Sequence, residues 1–175
     1  MAEDWFAGAE GRVAEEQDFL DRLRERATEA PWPVSPVQTS AATWGVPIYL
    51  RVEIDSLSGF RKGRFPRDLE VAYFPASSAS GRGLAGGWGD SRYPLDAQVT
   101  ETGGPLEVWG IKAAPLQFAD WAIEWFVFQL SRPLVLQSWR RNATTVVLAD
   151  VSKELGHTGA FWKRWGELDN VRKLN

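Results

Sequence analysis

Residues 115–130 read PLQFADWAIEWFVFQL, and nine of them are large and apolar: Leu116, Phe118, Trp121, Ile123, Trp125, Phe126, Val127, Phe128 and Leu130. Pro115 suits the first turn of a helix, where a missing N–H costs nothing. Arg132-Pro133 then stops it. Apolar side chains cover most of the circumference, and such a helix has to be buried on several sides. The stretch therefore predicts a buried central helix, residues 116–130, lying across a sheet. Its only polar stripe is Gln117, Asp120 and Glu124, at i, i+3 and i+7.

Upstream of this helix the period changes to two. Ile48, Leu50, Val52 and Ile54 alternate with Tyr49, Arg51 and Glu53, the pattern of a strand with one buried face. Leu69–Phe74 reads as a second strand, Ala97–Glu101 as a short one, and Leu106–Lys112 as another after the Gly103-Gly104-Pro105 turn. Downstream, Leu134–Trp139 and Thr144–Val151 form a hairpin around Arg140-Arg141-Asn142-Ala143. Phe161, Trp165 and Leu168, at i, i+4 and i+7 behind a Thr158 cap, predict a short C-terminal helix at about 159–173. Strands in runs with helices at the ends point to an α+β fold. A mainly antiparallel sheet of five to six strands is expected. The central helix would cover one face, and the terminal helices or another chain the other.

The first thirty residues differ in character. Phe6, Val13, Leu20 and Ala27 recur every seven positions, with Phe19 and Leu23 beside them, and predict an amphipathic helix at about 4–29. Gly8 and Gly11 weaken its first turns, so the firm part is expected at Val13–Thr28. Ala30-Pro31-Trp32-Pro33 ends it. This segment holds nine acidic and four basic residues. It reads as a solvated helix resting on its own domain or as an arm for a partner. The expected division is an acidic helix or arm at 1–30, a Pro-rich linker at 31–45, and one α+β domain at 46–175 with a flexible Gly/Ser loop at 75–94.

Composition narrows the function classes. With 175 residues, 44% hydrophobic and 25% charged, the chain has the size and balance of one soluble domain. No apolar run approaches the roughly 18 residues of a membrane span, and the acidic start MAEDWFAGAE is unlike a secretory leader. No membrane association and a cytoplasmic location are expected. The absence of cysteine excludes disulfides and thiolate chemistry, and the single histidine, His157, excludes a multi-histidine metal site. No cofactor and no metal are expected. Fifteen arginines against five lysines, with four isoleucines, associate the chain with a GC-rich bacterial genome. Ten tryptophans exceed what a small core readily absorbs, so some are expected on a binding surface.

Several constellations bear on chemistry. Gly81 to Gly86 matches G-x-G-x-x-G, but Gly87-Trp88-Gly89-Asp90 follows and no helix can start there to meet a phosphate. Trp88 stands alone among glycines, as a pin to the body or an anchor for a partner. Phe60-Arg61-Lys62-Gly63-Arg64-Phe65-Pro66-Arg67 places Arg61, Arg64 and Arg67 near two rings. That patch suits an acidic partner or single-stranded nucleic acid, although an overall charge of −3 argues against nucleic acid. Asp120 and Glu124 share a helix face and, with Asp150 or His157, could serve acid–base or cation chemistry. Solvation or ion pairs with Arg132, Arg140 or Arg141 are the plainer roles. Trp162 is expected to point away from the face of Phe161 and Trp165.

No catalytic motif emerges. The sequence reads first as a non-enzymatic protein–protein interaction module, immunity-type, accessory or adaptor, contacting a protein partner or itself through Trp88, Arg61, Arg64, Arg67 and Trp162. The alternatives are a small-molecule binder or enzyme using Asp120, Glu124 and His157, and a single-strand nucleic-acid binder using residues 60–67.

Overall fold

The computed structural model describes residues 4–43, 45, 47–54, 68–88, 106–139, 143–148 and 168–173. They form helix α1 (Ala14–Glu29), a 3-10 turn (Pro36–Gln38), strands β1 (Thr39–Thr43), β2 (Ile48–Glu53), β3 (Asp68–Phe74), β4 (Gly83–Trp88) and β5 (Leu106–Trp109), helix α2 (Pro115–Ser131), and strands β6 (Leu134–Trp139), β7 (Ala143–Leu148) and β8 (Leu168–Lys173). The fold is α+β. Strands β1 to β5 make an antiparallel sheet in chain order, and β7-β6-β8 make a separate antiparallel sheet of three.

Several expectations are corrected. Residues 168–173 are not the end of a C-terminal helix but strand β8, with Leu168 opposite Trp139 and Val171 opposite Gln137. Asp169, Asn170 and Val171 are poor helix formers, and pairing with β6 satisfies their backbone instead. The rest of that predicted helix, and the strand at Ala97–Glu101, fall outside the described residues. Within the expected flexible loop, Gly83–Trp88 is strand β4, paired on both sides. Backbone pairing there replaces the side-chain burial that its sequence lacks. A Cβ at Gly86 would approach Glu70 O to 2.7 Å, and one at Gly83 would enter the Trp109 ring. These glycines permit close packing. Strand β1 likewise lies inside the stretch expected as a Pro-rich linker.

A further correction concerns the helices. Helix α1 begins at Ala14 rather than near residue 4, inside the range that Gly8 and Gly11 pointed to. Its start is secured backwards: Glu16 accepts the Arg12 backbone N–H at 2.8 Å, and Gln17 accepts that of Gly11 at 2.9 Å. At its end, the Trp32 indole N–H donates to Ala27 O at 2.6 Å. Helix α1 packs on the domain, burying Phe19, Leu20, Leu23 and Ala27. Helix α2 starts with Pro115, and Gln117 accepts the Ala114 N–H at 3.0 Å. It is buried along one side, through Phe118, Ala119, Ala122, Ile123 and Phe126, while Leu116 and Phe128 are exposed. Lying beside α1, it shares the covering of the β1–β5 sheet with that helix.

Residues 4–12 close the end of the core without regular structure. Phe6 is fully buried at φ +49, a left-handed conformation that costs a bulky residue energy. Its N–H donates to Thr39 Oγ1 at 2.9 Å, and Ala7 O accepts the Ala41 N–H at 2.8 Å. Its ring meets Trp32 and Phe126, with centroids 6.1 and 5.8 Å away, and Trp5 stacks on Trp32 at 5.2 Å. This aromatic cluster holds the strained turn in place.

Candidate interaction face

Alternation gives each strand of the large sheet two sets of side chains. One set (Ile48, Leu50 and Val52 of β2; Leu69, Val71 and Tyr73 of β3; Leu84 of β4) is fully buried in a core shared with α1 and α2. Tyr73 stacks on Phe19 with centroids 3.9 Å apart and planes 4° from parallel. Both helices therefore lie on one face.

The other set forms the opposite face. Its central row runs Ala42, Tyr49, Ala72, Ala85, Glu107 across the five strands. On one side of it stand Phe74, Gly83 and Trp109, with the Phe74 and Trp109 rings 4.9 Å apart. Tyr49 is 44% and Trp109 39% exposed. On the other side lie Ser40, Arg51 and Glu70, then Glu53 opposite Asp68. Arg51 sits 3.1 Å from both Asp68 Oδ2 and Glu70 Oε1. Partial burial works against its charge, but Asp68, Glu70 and Glu53 outweigh that and hold its pKa above the ordinary value. The face thus joins an aromatic, small-residue half to an acidic half.

The carboxylates expected to carry chemistry are placed differently. Asp120 lies against α1, with Oδ1 2.9 Å from Arg22 Nε and 3.2 Å from Arg26 Nε, the latter without hydrogen-bond alignment. Among the described residues its partners are these two guanidiniums and not Arg132, while Arg140 and Arg141 lie outside the described residues. The hydrogen bonds to Asp120, then Glu25, raise the Arg22 pKa. Glu124, one turn on, is exposed. Among the described residues no group of three or more His, Asp and Glu side chains could hold a metal ion. No described helix is long and apolar enough to cross a membrane. Arg61, Arg64, Arg67, His157 and Trp162 lie outside the described residues. Trp88 ends β4, its backbone opposite Leu69, in a strand rather than a loop.

Two features had no signal in the sequence. Glu15 of α1 accepts hydrogen bonds from Arg82 Nε at 2.6 Å, the Tyr73 hydroxyl at 2.8 Å and the Ala76 N–H at 3.0 Å. Burial pushes the Glu15 pKa up, but these three donors outweigh it and hold the carboxyl below its ordinary value. Burial, then the bond to Glu15, pushes the Tyr73 pKa upward. The second feature is an open cleft of about 990 Å³ at the N-terminal segment, lined by Asp4, Trp5, Glu10, Arg24 and Thr43 among others. Arg24 there donates to the Phe6 and Ala9 carbonyls at 3.3 and 2.7 Å. The cleft includes neither Asp120 nor Glu124.

The face opposite the helices does have a sequence signal. Outward positions of a solvated antiparallel sheet are normally polar, yet Ala42, Tyr49, Ala72, Phe74, Ala85 and Trp109 occupy them here. No protein-family model, curated protein or solved structure matches this chain.

Proposed function

We propose that the chain is a non-enzymatic protein–protein interaction module, of an immunity, accessory or adaptor kind in a bacterial cytoplasm, which docks its partner on the face of β1–β5 opposite the two helices. One observation carries this reading. Both helices cover a single face of the sheet, and the opposite face presents Tyr49, Phe74 and Trp109 over a floor of alanine and glycine. Aromatic side chains with little rotamer freedom, set on a rigid sheet, dominate interface energetics. The engagement of Asp120 by Arg22 and Arg26 supports a structural role for that carboxylate.

The test is capture from a bacterial extract by the tagged chain, followed by calorimetry with the purified partner. Tyr49→Thr combined with Trp109→Ala is expected to weaken binding at least about tenfold, the loss of one hot-spot contact, with the melting transition retained. Undiminished affinity in that variant, or loss of activity on any substrate after Asp120→Asn, would overturn the reading.

A further inference from the structure

Resting on the interaction reading above, we infer that the partner lays a cationic, extended segment across this face. Leaving Asp68 aside, three carboxylates, those of Glu53, Glu70 and Glu107, stand with one guanidinium, that of Arg51, so these described side chains of the face carry a net −2. The one cation is already held between Asp68 and Glu70. An anionic partner would gain nothing from it and would meet the remaining carboxylates. A second copy is disfavoured by the same count, because a two-fold face-to-face contact sets like charge against like. Nucleic acid would be repelled here for the same reason.

The rings add a second preference. Tyr49 is exposed beside low alanine positions, while Trp109 rests one side of its ring on Gly83 and keeps part of it exposed, and Arg stacks on such rings more often than Lys does. Spacing defines the reach. Tyr49 and Glu107 share one row on β2 and β5, three strand intervals or roughly 14 Å apart. An extended chain covers that distance in about four residues, and alternation returns its side chains to the same side. The segment therefore bears cationic residues at i and i+4, one over Tyr49 and one at Glu107, with small or apolar residues between them above Ala72 and Ala85.

A labelled peptide with arginine at every fourth position and alanine and leucine between, and a counterpart with glutamate in place of arginine, test this on the full chain by fluorescence anisotropy. The arginine peptide is expected to bind at least about tenfold more tightly than its counterpart and to weaken with added salt. Glu53→Gln and Glu107→Gln should each weaken it about two- to fivefold, the value of one exposed charge pair. Asp18→Asn and Asp21→Asn, the same charge change on the outer side of α1, should leave it unaltered. Equal binding of the two peptides, or equal losses from the α1 variants, would overturn the inference. If Tyr49→Thr with Trp109→Ala abolishes partner capture while Glu53→Gln and Glu107→Gln change nothing, the cationic inference falls and the interaction module stands. If the aromatic variant also binds partner normally, both fall.

Discussion

The two faces of the five-stranded sheet are made from alternate residues of the same strands, yet they are held by different forces. On the covered face the contacts are apolar and complete: Leu50, Val71, Tyr73 and Leu84 are fully buried under Phe19, Leu23, Phe118 and Phe126. Removal of that area from water is the main stabilising term. Polar contacts stand at its margins, where Asp120 joins α2 to α1 and Glu15 joins α1 to Arg82 and the β3–β4 connection. On the opposite face the same strands carry a tilted ring contact, one arginine between two carboxylates, and exposed aromatic side chains. Stability and recognition are thereby separated across a single backbone. Substitutions on one face should alter folding, and those on the other should alter binding.

That separation can be broken most severely at the Phe19–Tyr73 stack. Phe19→Ala should cost about 3–5 kcal/mol, as aromatic truncations in cores do, read from urea denaturation; a loss well below that range would mean that α1 is loosely docked. Gly86→Ala comes next. Its methyl would approach Glu70 O and Val71 Cγ2 at 2.7 and 2.8 Å, and overpacking of this kind costs about 1–3 kcal/mol. An unchanged urea midpoint would show that β4 shifts without resistance.

The margin of the covered face should respond to acid. Because the folded-state pKa of Glu15 lies below its ordinary value, its contribution is fully present above the unfolded pKa and is lost as pH falls through the folded one. Urea midpoints taken from neutral pH downward should therefore fall more steeply for the wild type than for Glu15→Gln. Parallel curves would show that the Arg82 and Tyr73 bonds do not survive in solution. Asp120→Asn should destabilise by about 1 kcal/mol or less, since its side chain and those of its arginine partners are about one third exposed. The smallest effect belongs to the face opposite the helices. Tyr49→Thr keeps a strand-forming residue and should change stability by about 0.5 kcal/mol or less, while still weakening partner binding; a larger loss of stability would place Tyr49 in the core.

Local pattern made much of this legible. The alternation of Ile48 to Glu53, the boundaries of β3, the β6–β7 hairpin and the Pro115 and Pro133 limits of α2 follow from residue period and backbone chemistry, and the structure carries them. Strand β4 was not legible, because its Gly-rich sequence has no period of its own and its pairing depends on two flanking strands distant in sequence. Strand β8 escaped because three residues spaced for a helix outweighed the poor helix formers beside them. For the candidate face, a run of strand positions that stay apolar where alternation calls for polar ones was available at Ala72, Phe74 and Ala85. The glycine-rich composition of β4 concealed that these positions belonged to one surface.

What the sequence determined by itself is therefore local: where most strands and helices form, that α1 is acidic and amphipathic, and that the chain carries ten tryptophans. Those properties depend on neighbouring residues, on side-chain period and on caps. Only the tertiary structure decided that both helices share one face, that Asp120 meets Arg22 and Arg26, and that Tyr49, Phe74 and Trp109 gather on the other. Contacts between residues tens of positions apart depend on how whole elements pack, and no local period encodes which side of a sheet a helix will cover.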